Sequence, residues 1–422
     1  MEHKKSTLSA IFLVAGTCIG GGMLALPIAT GISGFFPSLA IMAICWLAMT
    51  TTALLLMEVS LWMPEGAHII SMTSSILGPW GKRVAWILYL FICYASLVAY
   101  AAGGGVQMAS ACDFYCQLPI SKDWGAVLFT LLLTAVIFVG NWFVGRINTL
   151  LFGAMIFAYF MLVGTGFSEI KPSLLLHSNW STSLIAVPLL LTAFSFQTMV
   201  PSLTPYLKRN VKSLRTAIIG GTVLALFIYL IWQAMILGIV PVEGENGLAQ
   251  ALSQANLPAT EFLRQHVIGR WVSIIAEFFA YFAIATSFLG IAMGLFDFLA
   301  DGLKIKKNLT GKTIIALMIV IPTLIIATRF ERVFMTAMDA SGGIGDSILN
   351  GIIPVLMVWK GRYLLGYQNG FRLPGGKVAL AVICAFFISA LIIEILGMGG
   401  WMPSVYESHI PLEIHNPSEI ID

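Results

Sequence analysis

The sequence has few charged residues: Asp, Glu, Lys and Arg together make up 10% of its 422 residues. Soluble domains carry roughly a quarter. Hydrophobic residues reach 58% and the mean hydropathy is +0.91, which is more apolar surface than a water-soluble core can bury. The same composition excludes a disordered chain, which needs low hydrophobicity and high charge. These numbers indicate a membrane protein.

Histidine and cysteine are also scarce, with six of each scattered along the chain. The sequence has no H-E-x-x-H motif and no cysteine–histidine spacing typical of a zinc site. It therefore predicts no metal site and no cofactor, and it contains no recognisable nucleic-acid module. Cys112 and Cys116 lie on neighbouring helical turns, and whether they form a disulfide stays open.

Long apolar runs are what the sequence does contain. A membrane-spanning helix needs about 20 apolar residues, and eleven such runs follow one another. The first follows Lys4 and Lys5 but has no signal-peptide cleavage site, so we interpret it as a retained helix. The sequence thus predicts an all-α polytopic membrane protein with eleven transmembrane helices. Their predicted limits are near 7–30, 36–61, 84–110, 124–141, 147–167, 183–206, 214–238, 268–299, 312–328, 332–358 and 377–398.

Lysine and arginine are unevenly distributed between alternate loops, and this sets the predicted orientation. With the N-terminus inside, 17 of the 23 Lys and Arg residues fall in inner segments and six in outer segments. We therefore predict a multi-pass protein of the bacterial inner membrane, with a cytoplasmic N-terminus and a periplasmic C-terminus. The predicted outer tail, 399–422, contains the acids Glu407, Glu413, Glu419 and Asp422.

The first span contains three consecutive glycines, Gly20, Gly21 and Gly22, shortly after Gly16. Each glycine inside a helix costs about 1 kcal/mol relative to alanine. Small residues four apart also serve helix packing, which would account for Gly16 and Gly20 alone. Three glycines in a row predict an unwound segment instead. Within a membrane, such a segment survives only where it lines a cavity or is buried in protein.

The sixth span has a second interruption, where Pro201 and Pro205 follow a polar stretch at 195–198. Proline removes a backbone hydrogen bond from a helix interior. Interrupted helices five spans apart are typical of transporters built from two inverted five-helix repeats, with the substrate between the repeats. The predicted repeats are residues 1–167 and 183–358, and residues 377–398 form an eleventh helix.

Three segments of the chain resemble a known family. Residues 16–27, GTCIGGGMLALP, resemble the first-helix signature of the hydroxy and aromatic amino acid permeases, and residues 285–301, ATSFLGIAMGLFDFLAD, resemble their eighth-helix signature. Residues 196–202, FQTMVPS, extend the similarity, which within the family is greatest to tyrosine permeases. The resemblance implies a fold similar to that of the leucine transporter, and a secondary transporter that imports aromatic amino acids, chiefly tyrosine.

An amino acid zwitterion in a membrane needs N–H donors for its carboxylate and oxygen acceptors for its ammonium group. Unwound helices supply both at their broken ends. Gly20, Gly21 and Gly22 are predicted to hold the carboxylate, because a glycine backbone allows close approach. Carbonyls near Cys18 and from Thr192 to Phe194 are predicted to accept from the ammonium group. The predicted side-chain pocket comprises Tyr94, Phe194, Phe196 and Gln197.

The coupling ion stays open between H⁺ and Na⁺. Glu277, an acid within span eight, is a candidate proton carrier. Thr286 and Ser287 supply adjacent hydroxyls, and in transporters of similar fold such a pair binds sodium together with first-helix carbonyls, here those near Gly16 and Ile19. Proton-coupled relatives often carry a lysine in the fifth helix, which is absent here. The family resemblance nevertheless favours protons.

Two other classes of protein fit the sequence less well. Gly343-Ile344-Gly345-Asp346 spells the G-x-G-D motif of intramembrane aspartyl proteases, but the expected motif of the second catalytic carboxylate is missing. An ion channel also uses glycine-rich breaks, and uptake against a gradient separates it from a transporter. We therefore predict no enzymatic activity, a free aromatic amino acid and membrane lipid as partners, and a monomer.

Overall fold

The structure is a computed structural model, and it describes residues 2–406 except 66, 245–246, 255–258, 267–269, 307, 331 and 369. Ten of the described helices are long and apolar enough to cross a membrane, and a bent pair near the N-terminus supplies an eleventh span. The predicted all-α polytopic fold with eleven spans is confirmed. The acids of the predicted outer tail, at 407, 413, 419 and 422, lie outside the described residues.

The described part of the chain forms seventeen α-helices and one π-helical stretch, Ser341–Ile352, between the fifteenth and the sixteenth. In chain order the α-helices are α1 (Glu2–Cys18), α2 (Gly21–Gly31), α3 (Phe35–Trp62), α4 (Ile69–Leu77), α5 (Pro79–Cys116), α6 (Lys122–Val139), α7 (Asn141–Gly166), α8 (Val187–Ala193), α9 (Val200–Tyr206), α10 (Val211–Ile239), α11 (Leu248–Gln254), α12 (Ala259–His266), α13 (Arg270–Gly302), α14 (Leu309–Arg329), α15 (Val333–Ala340), α16 (Ile353–Tyr363) and α17 (Gly376–Met398).

Most spans are single helices, and three are composite. Span one is α1 with α2, span six is α8 with α9, and span ten is α15, the π-helical stretch and α16. Spans two to five are α3, α5, α6 and α7, span seven is α10, and spans eight, nine and eleven are α13, α14 and α17. Cys112 and Cys116 lie near the end of α5 as free thiols.

The spans differ in how deeply they lie in the bundle. The most apolar window of span ten is 78% buried and that of span six is 72% buried, whereas those of spans five, nine and eleven are 28%, 28% and 22% buried. Every residue of α2 is buried. Span ten and the two interrupted spans therefore lie at the centre of the bundle, where irregular backbone is shielded from lipid.

The C-terminal end of α2 is covered by segments from elsewhere in the chain. Helices α11 and α12 pack against it, and a side chain at Gly31 would collide with Leu248 of α11. The segment after span five adds a short antiparallel bridge between Gly34 and Ser178. Gly34 has φ +83°, a left-handed conformation that favours glycine. The end of α2 and the turn that follows it are thus held by segments from later parts of the chain, in addition to the neighbouring spans.

The opposite face of the bundle is tied together by a buried ion pair. Arg362, in the last turn of α16, donates to Glu58 of α3 from Nε to Oε1 at 2.6 Å and from Nη2 to Oε2 at 2.5 Å. The two side chains are 3% and 2% exposed. The Leu373 amide donates to the same carboxylate at 3.1 Å. The pair therefore joins span two, the end of span ten and the segment that leads to α17.

Candidate functional site

Span one is interrupted at the position where three consecutive glycines predict unwinding. Helix α1 ends at Cys18, α2 begins at Gly21, and the chain bends by 54° between them. The Ile19 amide still donates to the Ala15 carbonyl at 2.9 Å. The break is therefore one short turn between two helix ends, with the C-terminus of α1 facing the N-terminus of α2.

The glycines of this turn face three different parts of the bundle. A Cβ on Gly20 would lie closer than 3.0 Å to Ser287 Oγ of α13, and one on Gly21 would lie equally close to the ring of Tyr100 of α5. Gly22 faces α8 and span ten. The Gly21 amide donates to Ser287 Oγ at 3.0 Å. Space, and not an unusual dihedral angle, is what requires glycine at these positions.

Span six is interrupted beside the first break. Helix α8 ends at Ala193, and α9 begins at Val200 with Pro201 in its first turn. Proline there starts a helix and costs no hydrogen bond, because the first N–H groups of a helix have no partner within it. A Cβ on Gly22 would lie 3.4 Å from Ala193 Cα. The two predicted breaks are thus neighbours in space.

One side chain bridges the two breaks. Tyr229 of α10 is fully buried, and its hydroxyl oxygen lies 2.5 Å from the carbonyl oxygen of Cys18 and 2.8 Å from that of Ala193. These carbonyls end α1 and α8, where a helix leaves its last C=O groups unpaired. A phenol has one O–H, so the two acceptors share one donor. The acceptors predicted for an ammonium group, near Cys18 and within 192–194, therefore converge.

Three residues of the predicted side-chain pocket are engaged in packing the span-six break. The Phe194 ring lies 5.1 Å from that of Tyr229. Gln197 is fully buried, its Nε2 donates to the Met49 carbonyl of α3 at 3.0 Å, and its Oε1 accepts from the Phe196 amide at 2.9 Å. Both ends of the Gln197 amide are thus occupied within the protein, and the residue holds the break against span two.

The structure places Tyr94, the fourth predicted pocket residue, away from both breaks. Its hydroxyl donates to the Met318 carbonyl of α14 at 2.8 Å, and its side chain is partly exposed. Tyr100, which the sequence analysis missed, is buried against Gly21 on the same helix. Successive helical residues are rotated by about 100°, so residues six apart lie on different faces. Tyr100, and not Tyr94, is therefore the tyrosine of α5 that faces the first break.

The hydroxyl pair of span eight is divided between two environments. The Ser287 hydroxyl contacts the first break, where it accepts from the Gly21 amide, whereas the Thr286 hydroxyl donates to the Phe282 carbonyl of its own helix at 2.9 Å. Gly16 lies in the last turn of α1 and faces a phenylalanine ring of α7, and Ile19 directly follows α1. Hydroxyl and carbonyl oxygens are the ligands that a hard cation prefers. Of the predicted sodium set, Ile19 belongs to the break itself and Ser287 contacts the break from α13.

The structure does not bring Glu277 to the breaks. It precedes Thr286 on α13 by nine residues, which is about 13 Å along a helix axis. Its Oε1 lies 4.0 Å from Arg264 of α12, which also pairs with Glu261 at 3.0 Å. Glu277 is therefore part of a charged group beneath α12, near the face that covers α2.

A polar cluster that the sequence analysis did not assign lies between spans six and ten. Asp346, in the π-helical stretch, is fully buried, and its Oδ1 accepts from Ser195 Oγ at 2.6 Å and from Asn350 Nδ2 at 2.5 Å. Ser195 belongs to the break between α8 and α9. One turn earlier, the Thr192 hydroxyl donates to the Met338 carbonyl at 2.7 Å. Two polar contacts thus join span ten to the end of α8 and the break that follows it.

The G-x-G-D motif has a packing role in this structure. A side chain at Gly343 would collide with Glu394 of α17, and one at Gly345 would collide with Ile92 of α5. The bonding partners of Asp346 are a serine and an asparagine and not a second acid. An aspartyl protease needs two carboxyl groups that share a proton, and among the described residues Asp346 has no second carboxyl group as a hydrogen-bond partner.

The chain matches the sequence model of the tryptophan/tyrosine permease family over residues 3–394. It is 30% identical to the tryptophan-specific transport protein of Haemophilus influenzae, over 96% of this chain and 99% of that protein. Its identity to the tryptophan-specific transport protein of Pseudomonas aeruginosa is 29%, over 95% and 97%. It is also 30% identical to the tyrosine-specific transport system 1 of H. influenzae, over 94% and 99%. These relatives are transport proteins and not enzymes.

Among solved structures, the crystal structure of MhsT in complex with L-phenylalanine is similar to this chain. The TM-score is 0.64 at 15% sequence identity, and the match covers 92% of this chain and 97% of that chain. At this identity the likeness establishes the fold alone. MhsT has the leucine-transporter fold, so the fold implied by the two interrupted spans and by the family resemblance is confirmed.

Proposed function

Because this chain belongs to the tryptophan/tyrosine permease family, we propose that it imports tyrosine in preference to other aromatic amino acids, by proton symport across the bacterial inner membrane. Family and fold together make it an aromatic amino acid permease. The preference for tyrosine is supported by the resemblance of residues 16–27, 196–202 and 285–301 to tyrosine permeases. The identity is 30% both to a tryptophan-specific and to a tyrosine-specific relative, so it supports an aromatic substrate without selecting between the two.

The observation that carries the transport proposal is the convergence of the two breaks. The N-terminus of α2 presents its amides beside Tyr100 and Ser287 and carries the positive end of a helix dipole, which suits a carboxylate. The carbonyls of Cys18 and Ala193 end two helices and suit an ammonium group. A substrate ammonium group would donate to these two carbonyls in place of the Tyr229 hydroxyl. The rest of the substrate would lie towards Phe194.

Uptake into proteoliposomes tests this proposal. The purified protein is expected to accumulate labelled tyrosine when the vesicle interior is alkaline, and unlabelled tyrosine is expected to compete better than tryptophan or phenylalanine. Stronger competition by tryptophan would show that tryptophan, and not tyrosine, is the preferred substrate. Equal competition by leucine would contradict an aromatic substrate altogether.

The coupling ion is tested at Thr286, because its hydroxyl bonds only to its own helix among the described residues. With protons as the coupling ion, Thr286→Val is expected to leave uptake driven by a pH gradient unchanged, since a hydroxyl does not titrate near neutral pH. Ser287→Ala is less selective, because Ser287 also accepts from the Gly21 amide. Uptake that requires a sodium gradient in the wild type, and is lost in Thr286→Val, would identify sodium instead.

We place the N-terminus in the cytoplasm and the C-terminus in the periplasm. The uneven distribution of 17 against six basic residues supports this orientation. A cysteine added after residue 422 is expected to react with a membrane-impermeant thiol reagent in intact spheroplasts, in a background where the native cysteines are replaced. A cysteine placed before residue 2 is the matched control and should react only after lysis. The reverse pattern would overturn the orientation.

A further inference from the structure

Asp346 is a carboxyl group with incomplete pairing at the centre of the membrane domain. It is 0% exposed and lies about midway along span ten, the most buried of the spans compared above. Its Oδ1 accepts two hydrogen bonds, whereas Oδ2 is buried and has no hydrogen-bond partner among the described residues. An ionised carboxylate without full pairing is costly in such surroundings. The unpaired Oδ2 is therefore the oxygen of this carboxyl group that is open to a proton.

No positive charge compensates Asp346 in the described part of the chain: no Lys or Arg forms an ion pair with it. The titratable groups that interact with it are Cys93 and Tyr100, both on α5. From α17, Glu394 packs against Gly343, three residues earlier in span ten. None of these groups supplies a cation that would neutralise an ionised Asp346.

We propose that Asp346 binds the co-transported proton, and that Ser195 links its protonation state to the break in span six. The inference rests on proton symport as the proposed coupling. On uptake, an O–H bond forms at Oδ2 with a proton that enters from the periplasm. On release, that bond breaks and the proton leaves to the cytoplasm, with no change in oxidation state.

The link to the break follows from the hydrogen bonds at Oδ1. A carboxylate accepts more strongly than a neutral carboxyl group, and charge-assisted bonds are roughly twice as strong as neutral ones. The ionised form of Asp346 therefore holds Ser195 firmly, and the neutral form releases it more readily. Ser195 directly precedes Phe196, and both belong to the irregular stretch between α8 and α9. The protonation state thus acts on the backbone that surrounds the proposed substrate.

Other acids of the membrane spans lack this connection. Glu277 faces Arg264 at 4.0 Å. Asp339 and Glu394 are buried beside each other, and Tyr406 donates to Glu394 Oε1 at 2.5 Å. Burial and the charges of these two carboxyl groups raise the pKa of Tyr406 above its usual range, so its phenol stays a donor. Within the described residues, none of these acids bonds to residues 194–199.

The decisive variant is Asp346→Asn, which keeps the shape of the side chain and removes its proton site. Two assays in proteoliposomes separate coupling from substrate binding. Exchange of external labelled tyrosine for internal tyrosine needs no net proton movement and is expected to persist. Accumulation driven by a pH gradient is expected to be lost. Asp339→Asn makes the same change at another buried acid of span ten, is the matched control, and should accumulate substrate as the wild type does.

A third assay measures the proton directly. Tyrosine added to the wild type in weakly buffered detergent solution should remove about one proton per substrate bound, and the apparent affinity should fall about tenfold per pH unit above the pKa of the site. Both effects should vanish in Asp346→Asn. An Asn variant that still accumulates tyrosine in response to a pH gradient, or still takes up a proton, would overturn the proposal.

If Asp346→Asn also loses exchange, Asp346→Glu becomes the deciding variant, because it retains a carboxyl group. Recovery of both exchange and pH-driven accumulation in the Glu variant would support the proton site. Recovery of exchange alone, or of neither, would show that Asp346 is structural. Failure of the proposed function is recognised separately, because the wild type would then respond only to a sodium gradient or would not accumulate tyrosine.

Discussion

Replacing Gly21 by leucine is expected to abolish tyrosine uptake while the protein still inserts into the membrane. Even a Cβ at this position would lie closer than 3.0 Å to ring atoms of Tyr100, which is 6% exposed and has little room to move. Overpacking a buried site costs about 1–3 kcal/mol. The larger part of the effect is direct exclusion of the substrate, because the side chain would project into the space between α2 and α5.

Gly153→Leu is the control for Gly21→Leu. Gly153 lies in α7, where an added Cβ would meet no neighbouring atom within 4 Å, and it is exposed on the side of the bundle that faces lipid. The control variant is expected to transport as the wild type does. Binding of tyrosine, measured as a rise in the thermal unfolding temperature of the purified protein, should be absent in Gly21→Leu. Undiminished uptake would show that these glycines serve helix packing only.

Glu58→Gln is expected to have the largest effect on stability, because it breaks a buried ion pair on one side only. The Arg362 guanidinium would stay charged but would no longer face a carboxylate. The Leu373 amide would donate to a neutral amide in place of a charged carboxylate. Removing one partner of such a pair costs about 3–5 kcal/mol. Thermal unfolding in detergent should show a correspondingly lower midpoint.

Two further variants define what the Glu58 result means. Glu65→Gln makes the same chemical change at an exposed residue of the following loop and is expected to leave the midpoint unchanged. The double variant Glu58→Met with Arg362→Met should recover most of the stability, since a buried pair can be replaced by apolar side chains at little cost. A midpoint in Glu58→Gln equal to that of the wild type would contradict the structural role of the pair.

The number of spans and the two breaks could be derived from the sequence because they depend on local composition, whereas the class of transporter came from the resemblance to the permease family. About 20 apolar residues are needed to cross the membrane whatever surrounds them. Three consecutive glycines and a proline-rich polar stretch disfavour a continuous helix wherever they occur. The alternation of basic loops likewise needs no knowledge of packing.

What required the tertiary structure is which side chains meet at those breaks. Tyr94 and Tyr100 share a helix, and only the rotation of α5 against α2 decides which of them faces Gly21. Tyr229 lies in an apolar span with no sequence signal, yet its hydroxyl reaches the carbonyls of both breaks. Ser195 and Asp346 are 151 residues apart in the chain. Contacts of this kind depend on how separate helices pack, and the local composition that determines each helix does not specify them.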